Sequence, residues 1–152
     1  MKVAIGSDHA GFALKERLVR ELEQRGHEVL DLGTHAAEPP VDYPDFCFPV
    51  AELVARGEVE RGIVLGGSGI GEAIAANKVA GVRASVVTSD ETARLTRLHN
   101  DSNVLALGGR TNAEADAVRW LGIWLETSFE GGRHVPRLQK IREYELAHSM
   151  EA

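Results

Sequence analysis

Four glycines fall in six positions at Gly66-Gly67-Ser68-Gly69-Ile70-Gly71. They follow the apolar run Ile63-Val64-Leu65 and precede the helix-favouring Glu72-Ala73-Ile74-Ala75-Ala76. That order fits a strand, a tight loop and a helix. Glycines let backbone N–H groups come close to a ligand, and a helix start leaves N–H groups unpaired, so the loop suits an anion or a developing oxyanion. Glu72 sits on the first turn of the helix, so the loop carries its own carboxylate. The plainer alternative is a tight strand-to-helix turn with an acid complementing the helix dipole. A dinucleotide fingerprint does not fit. Gly67 and Gly69 match its first two glycines, but Glu72 stands where the third glycine or alanine belongs and would repel a pyrophosphate. No Gly-Lys-Ser/Thr follows, which excludes a Walker A loop.

The rest of the chain repeats this alternation. Val3-Ala4-Ile5 predicts a buried strand running into the small, polar loop from Gly6 to Phe12. Leu14, Leu18 and Leu22 recur every four residues among charged ones, which predicts a helix stopped by Gly26. Glu28 to Leu32 is a second strand, and residues 34–43 are loop. Phe46, Val50, Leu53 and Val54 trace a helical face ended by Gly57. The third strand enters the glycine loop, whose helix ends at Gly81. A fourth strand is expected over Val82–Val87, then a short helix to about Leu98, opened by a capping box of Thr88 and Glu91. Val104–Leu107 is the fifth strand. Thr111 and Glu114 are a second capping-box pair, opening a helix with Ala117, Leu121 and Trp124 inside. Pro136 suits the first turn of a last helix. Short apolar strands alternating with helices belong in a parallel sheet covered on both faces. The expected fold is one doubly wound α/β domain over residues 1–152, with a five-stranded parallel sheet and ligands bound beyond the carboxyl ends of its strands.

Composition narrows the function. A net charge of −6 provides no global basic field for nucleic acid. No apolar segment is long enough to span a membrane. Cys47 is the single cysteine, so no intrachain disulfide forms, and no Cys/His cluster has zinc-ligand spacing. Lys2-Val3-Ala4-Ile5 begins a strand with no signal-peptide pattern, and the expectation is a cytoplasmic protein.

Topology adds other polar groups to the glycine loop. Asp8-His9 follows the first strand, where Asp orients a hydroxyl and His holds a proton or a phosphate; taken alone the pair reads more readily as an N-cap beside an exposed histidine, and it gains weight from sharing an edge with the glycine loop. His99-Asn100-Asp101 follows the helix after strand four and is expected as a loop reaching the same carboxyl edge, with His99 suited to proton transfer near neutrality. Arg133 and Arg137 stand four apart at a helix start, against the helix dipole, in a placement that suits an anion. Arg110, after strand five, is a third basic candidate.

Together these residues resemble the type B ribose-5-phosphate isomerases, in the group that also holds the galactose-6-phosphate isomerase subunits. The resemblance runs nearly end to end. It rests on Gly6-Ser7-Asp8-His9-Ala10-Gly11-Phe12, Asp42-Tyr43-Pro44-Asp45, Gly67-Ser68-Gly69-Ile70-Gly71, Ile74-Ala75-Ala76-Asn77-Lys78, His99-Asn100-Asp101, and Arg133-His134 with Arg137. It implies a Rossmann-like three-layer fold, no metal or cofactor, and a homodimer or tetramer with active sites at the subunit interface. Many members carry an isomerising cysteine at the end of strand three, where this chain has Gly66. Cys47 is remote in sequence and expected away from the carboxyl edge. A second branch uses a glutamate just after the Gly-Ser-Gly loop, and Glu72 stands there.

The resemblance therefore implies interconversion of ribose 5-phosphate and ribulose 5-phosphate through an enediolate. Glu72 is the base. Ser68 and the backbone of Gly67, Gly69, Ile70 and Gly71 hold the oxyanion, and His99 assists ring opening. Asp8 and Asn100 orient hydroxyls, while Arg133, Arg137 and His9, with Arg110 nearby, grip the phosphate. The alternatives are an isomerase of a hexose 6-phosphate or tetrose 4-phosphate, and a non-catalytic phosphate- or nucleotide-binding domain.

Overall fold

The computed structural model describes residues 1–149; the last three positions of the expected domain lie outside the described residues. Five strands form one sheet: β1 (Lys2–Ser7), β2 (Glu28–Asp31), β3 (Arg61–Gly66), β4 (Ala84–Val86) and β5 (Val104–Gly108). All pairings are parallel, in the order β2-β1-β3-β5-β4. The helices are α1 (Phe12–Gln24), α2 (Pro44–Ala55), α3 (Ile70–Ala76), α4 (Asp90–Asn100), α5 (Glu114–Glu126) and α6 (Val135–Ala147), the last entered through a 3₁₀ turn at Gly132–His134.

Alternate strand residues divide between two cores, as the pleat requires. Val3, Ile5, Ile63, Leu65, Leu105 and Leu107 pack with Leu14, Leu18 and Leu22 of α1 and Leu121 and Trp124 of α5. Ala4, Val64, Val104 and Ala106 face Cys47, Val50, Ala51 and Val54 of α2 and the alanines of α3. The second core is built from smaller side chains, which brings α3 and its loop close against the sheet. The chain moves outward from β1 to β2 and then returns to place β3 on the other side of β1. That reversal opens a crevice at the carboxyl ends of β1 and β3.

Several expected boundaries move. The fourth strand is only Ala84–Val86, because it is an edge strand whose outer side is taken by a side chain. Asn77 bonds both the N–H and the C=O of Ala84, at 2.8 and 2.9 Å. The cap of α4 is Ser89 with Thr92 rather than Thr88 with Glu91; Ser89 Oγ accepts the Thr92 N–H at 3.0 Å and Thr92 Oγ1 accepts the Ser89 N–H at 3.1 Å. Thr111 does not cap α5, which starts after Ala113 without a side-chain cap; its hydroxyl instead points to the Gly67 carbonyl at 3.5 Å. Helix α4 runs to Asn100, so His99 and Asn100 lie in its last turn, and Asp101 closes it in the left-handed region at φ 46°. Among the described residues no helix is long and apolar enough to cross a membrane.

Candidate active site

Three turns meet at the crevice, and backbone hydrogen bonds hold them together. The Asp8 N–H donates to the Leu65 carbonyl at 3.2 Å. Gly109 donates to the Gly66 carbonyl at 2.7 Å, and Arg110 and Thr111 donate to that of Gly67 at 3.0 and 3.3 Å. Asp8 Oδ1 accepts the Gly11 N–H at 3.0 Å, fixing the first turn. The result is an open cleft of about 450 Å³ that brings together the expected Asp8, His9, Gly67, Ser68, Gly71, Glu72 and Arg110. Gly69 is buried behind it in the left-handed conformation, φ 83°, where glycine is at home, as the cap residue of α3. Ile70 lies at the rim, 58% exposed.

Sequence reasoning assigned no part to Tyr43, which the cleft adds along with Ala10 and Thr111. The signal was available in the Tyr43-Pro44 break: Pro44 starts α2 and leaves Tyr43 at its cap, above the glycine loop. A Cβ on Gly71 would stand 2.6 Å from the Tyr43 ring, so the glycine is needed for the tyrosine to close that wall.

Glu72 is the less exposed of the cleft's two carboxylates. It is 3% exposed, and its Oε2 has no hydrogen-bond partner among the described residues. Its carboxylate lies directly against Gly66, where any Cβ would collide with Oε1. Burial holds its pKa above the ordinary carboxylate range, and the negative charge of Asp8 adds to that rise; backbone N–H groups of Glu72 and Gly69 oppose it. Desolvation therefore outweighs the pull of the backbone N–H groups at the helix start. A buried, unpartnered carboxylate with a raised pKa is what a general base near neutrality requires.

The surrounding groups are poised for a ligand. His9 Nδ1 accepts the Val41 N–H at 3.1 Å, which leaves Nε2 as the donor. Ser68 Oγ accepts the Ile70 N–H at 3.2 Å and keeps its own proton to give. Arg110 is exposed, makes no ion pair among the described residues, and also borders an adjoining hollow lined by His9 and Ala37 to Pro40.

Cys47 requires a correction. It lies near the carboxyl edge after all, because α2 starts there, and Glu72 and Asp8 are close enough to act on it electrostatically. It is fully buried, and burial first, then those two carboxylates, drives its thiol pKa far up, which keeps it a neutral thiol beneath the site.

His99 and Asn100 also require one. The expectation that they reach the carboxyl edge fails within a single chain, because α4 runs antiparallel to the strands and delivers its last turn to the opposite edge. The Asn100 carbonyl accepts from Arg83 Nε at 2.9 Å, just ahead of β4. Arg133 and Arg137, both exposed, gather at that end too: His134, between them, stacks on His99 with ring centroids 4.3 Å apart and planes at 20°. Among the described residues, His99, Glu130 and His134 are the one cluster with three metal-type ligand atoms close together. The near-parallel rings aim their in-plane lone pairs side by side, a poor geometry for one ion.

The doubly wound sheet, the crevice at its reversal and the buried carboxylate in it define a protein of the α/β type with a candidate site for a small ligand. Residues 3–141 match the model of the Ribose/Galactose Isomerase family. The ribose-5-phosphate isomerase B of Escherichia coli is 46% identical, over 95% of this chain and 96% of that one. A solved structure of Clostridium thermocellum ribose-5-phosphate isomerase B superposes with a TM-score of 0.95 at 51% identity, covering 97% of this chain and 99% of that one. The Mycoplasma genitalium ribose-5-phosphate isomerase B, solved with bound ribulose 5-phosphate, gives 0.92 at 40% identity over 95% and 96% of the two chains. This chain belongs to the ribose/galactose isomerase family, and it is an aldose–ketose isomerase.

Proposed function

We propose that this enzyme interconverts ribose 5-phosphate and ribulose 5-phosphate through an enediolate, with Glu72 as the base. The observation that carries the reading is the buried Glu72 carboxylate, with Oε2 unpartnered, filling the space that Gly66 leaves at the end of β3. After ring opening, Glu72 takes the C2 proton of the aldehyde form. The Ser68 hydroxyl and the free N–H groups of the loop from Gly67 to Gly71 stabilise the oxyanion that develops on O1; the O2 hydroxyl proton passes to O1 within the enediolate, and Glu72 returns the carbon proton to C1, leaving the C2 ketone. Asp8 orients a sugar hydroxyl with the oxygen that does not bind Gly11. His9 and Arg110 bind the phosphate from this side.

The remaining expected groups fit a homodimer in which the partner subunit's His99, Asn100, Arg133 and Arg137 face this cleft. Two features support it. Ile70 and Ile74 stand 58% exposed beside the site. All of α6 is at least partly exposed, with Ile141, Tyr144 and Leu146 at 48, 67 and 55%, an apolar display that a single chain leaves uncovered. In that dimer His99 delivers a proton to the ring oxygen, and the paired arginines complete the phosphate site.

The test is Glu72→Gln. Sugar-phosphate binding is expected to persist while turnover falls by about two to four orders of magnitude, the range general acid–base catalysis supplies. Near-normal isomerisation of ribose 5-phosphate by that variant would sink the assignment. Run on the parent, a panel of pentose, hexose and tetrose phosphates separates this substrate from its longer and shorter analogues.

A further inference from the structure

His99 is held in an unusual way for a proton carrier. Its ring makes no hydrogen bond among the described residues, and its Nε2 lies 3.8 Å from Glu130 Oε2, beyond hydrogen-bond length. What fixes it is the face of His134, stacked at 4.3 Å. His134 is itself 5% exposed, and its Nε2 reaches the same Glu130 oxygen at 3.1 Å. Glu130 is tied in turn to the helix that carries His99, because its backbone N–H donates to the Leu98 carbonyl at 3.0 Å, satisfying one of the orphan acceptors at the end of α4. The chain of support thus runs from α4 through the Glu130 backbone, the Glu130 carboxylate and the His134 ring back to the His99 ring.

We infer that Glu130 and His134 are positioning residues for His99, fixing its imidazole by stacking so that both ring nitrogens stay free for proton transfer to and from the sugar ring. The inference rests on the isomerase reading and assigns the pair to the ring-opening step alone. A histidine anchored through one nitrogen has a single nitrogen left for substrate. A histidine anchored through its face can take a proton at one nitrogen and release one at the other. Neither Glu130 nor His134 need touch substrate for this.

The two directions of the reaction separate ring opening from proton abstraction. Ribose 5-phosphate is a closed furanose and must be opened. Ribulose 5-phosphate is acyclic, since its 5-oxygen is esterified, so exchange of its C1 proton with solvent needs Glu72 but no ring opening. Glu130→Ala and His134→Ala are expected to lower kcat on ribose 5-phosphate about ten- to a hundredfold, with KM unchanged, while deuterium exchange into ribulose 5-phosphate stays within about twofold of the parent. Glu130→Gln keeps an acceptor oxygen, and His134→Phe keeps a stacking face; both are expected to recover most of the loss. Glu130 is half exposed, so its variants test the idea even where replacing the buried His134 unfolds the chain. Equal loss in both assays, or an unchanged kcat for Glu130→Ala, overturns the inference while leaving the isomerase reading intact. A parent chain that neither isomerises nor exchanges overturns both.

Discussion

At the scale of single residues, the site turns on a carboxylate kept out of water. Because burial and Asp8 raise the Glu72 pKa, the folded chain holds that proton more tightly than the unfolded chain does. The group's contribution to stability is therefore full below the ordinary carboxylate range and is lost as pH rises through the raised value. Glu72→Gln cannot ionise and escapes that loss. Its melting temperature is expected to match the parent's in acid and to exceed it at neutral pH, as thermal unfolding followed across that interval would register. A variant no more stable than the parent at neutral pH contradicts the burial argument. The rate should show the same group with the opposite consequence: the acid limb of kcat lies above the ordinary carboxylate range, because only the ionised form abstracts a proton. Glu72 was legible in the sequence from its place after the glycines. The direction of its pKa was not, since that depends on how far Tyr43, Asp8 and the loop exclude water around it.

Elements explain why half of the site was legible and half was misplaced. The turns after β1, β3 and β5 are each short and directly follow a strand, so parallel topology alone brings Asp8, Glu72 and Arg110 together. His99 is separated from its strand by a whole helix. Eleven residues of α4 make a rod about 16 Å long, and it runs back toward the amino edge. Whether His99 sits at one edge or the other therefore depended on where α4 stops. Reading His99 to Asp101 as loop concealed that. The cap positions were hard to read for a related reason. Thr88 and Ser89 adjoin, and a one-residue shift in helix start changes which one caps; Thr111 had the right spacing but is held toward Gly67 by the packing of the glycine loop. Such choices depend on tertiary contacts that local sequence does not encode.

At the scale of the whole molecule, the proposed dimer makes each active site a joint product of two chains. Complementation tests this directly. A Glu72→Gln chain and a His99→Asn chain are each expected to be nearly inactive on ribose 5-phosphate. Unfolded together and refolded as a mixture, half of the dimers become mixed, and each mixed dimer holds one site with both native groups, so activity should return to about a quarter of the parent's. Recovery no greater than the sum of the separate variants would place both residues in one chain's site and refute the shared arrangement. In the proposed dimer, the basic cluster at Arg133 and Arg137 on the amino edge of one chain meets Glu72 on the carboxyl edge of its partner.

The contact between Gly66 and the Glu72 carboxylate has a consequence for how such an enzyme can change over time. A side chain at 66 and the Glu72 carboxylate in its present position compete for one volume, so a residue larger than glycine at 66 would push the carboxylate aside. Gly66→Cys alone is expected to abolish isomerisation by displacing the glutamate, and Glu72→Ala alone removes the base. The double variant leaves the space at 66 to a thiolate with no carboxylate beside it, and assays of the three proteins would measure any activity it regains. Exchanging one kind of base for the other in this fold is therefore expected to involve both positions, because a single Cβ at 66 takes the space in which the Glu72 carboxylate stands.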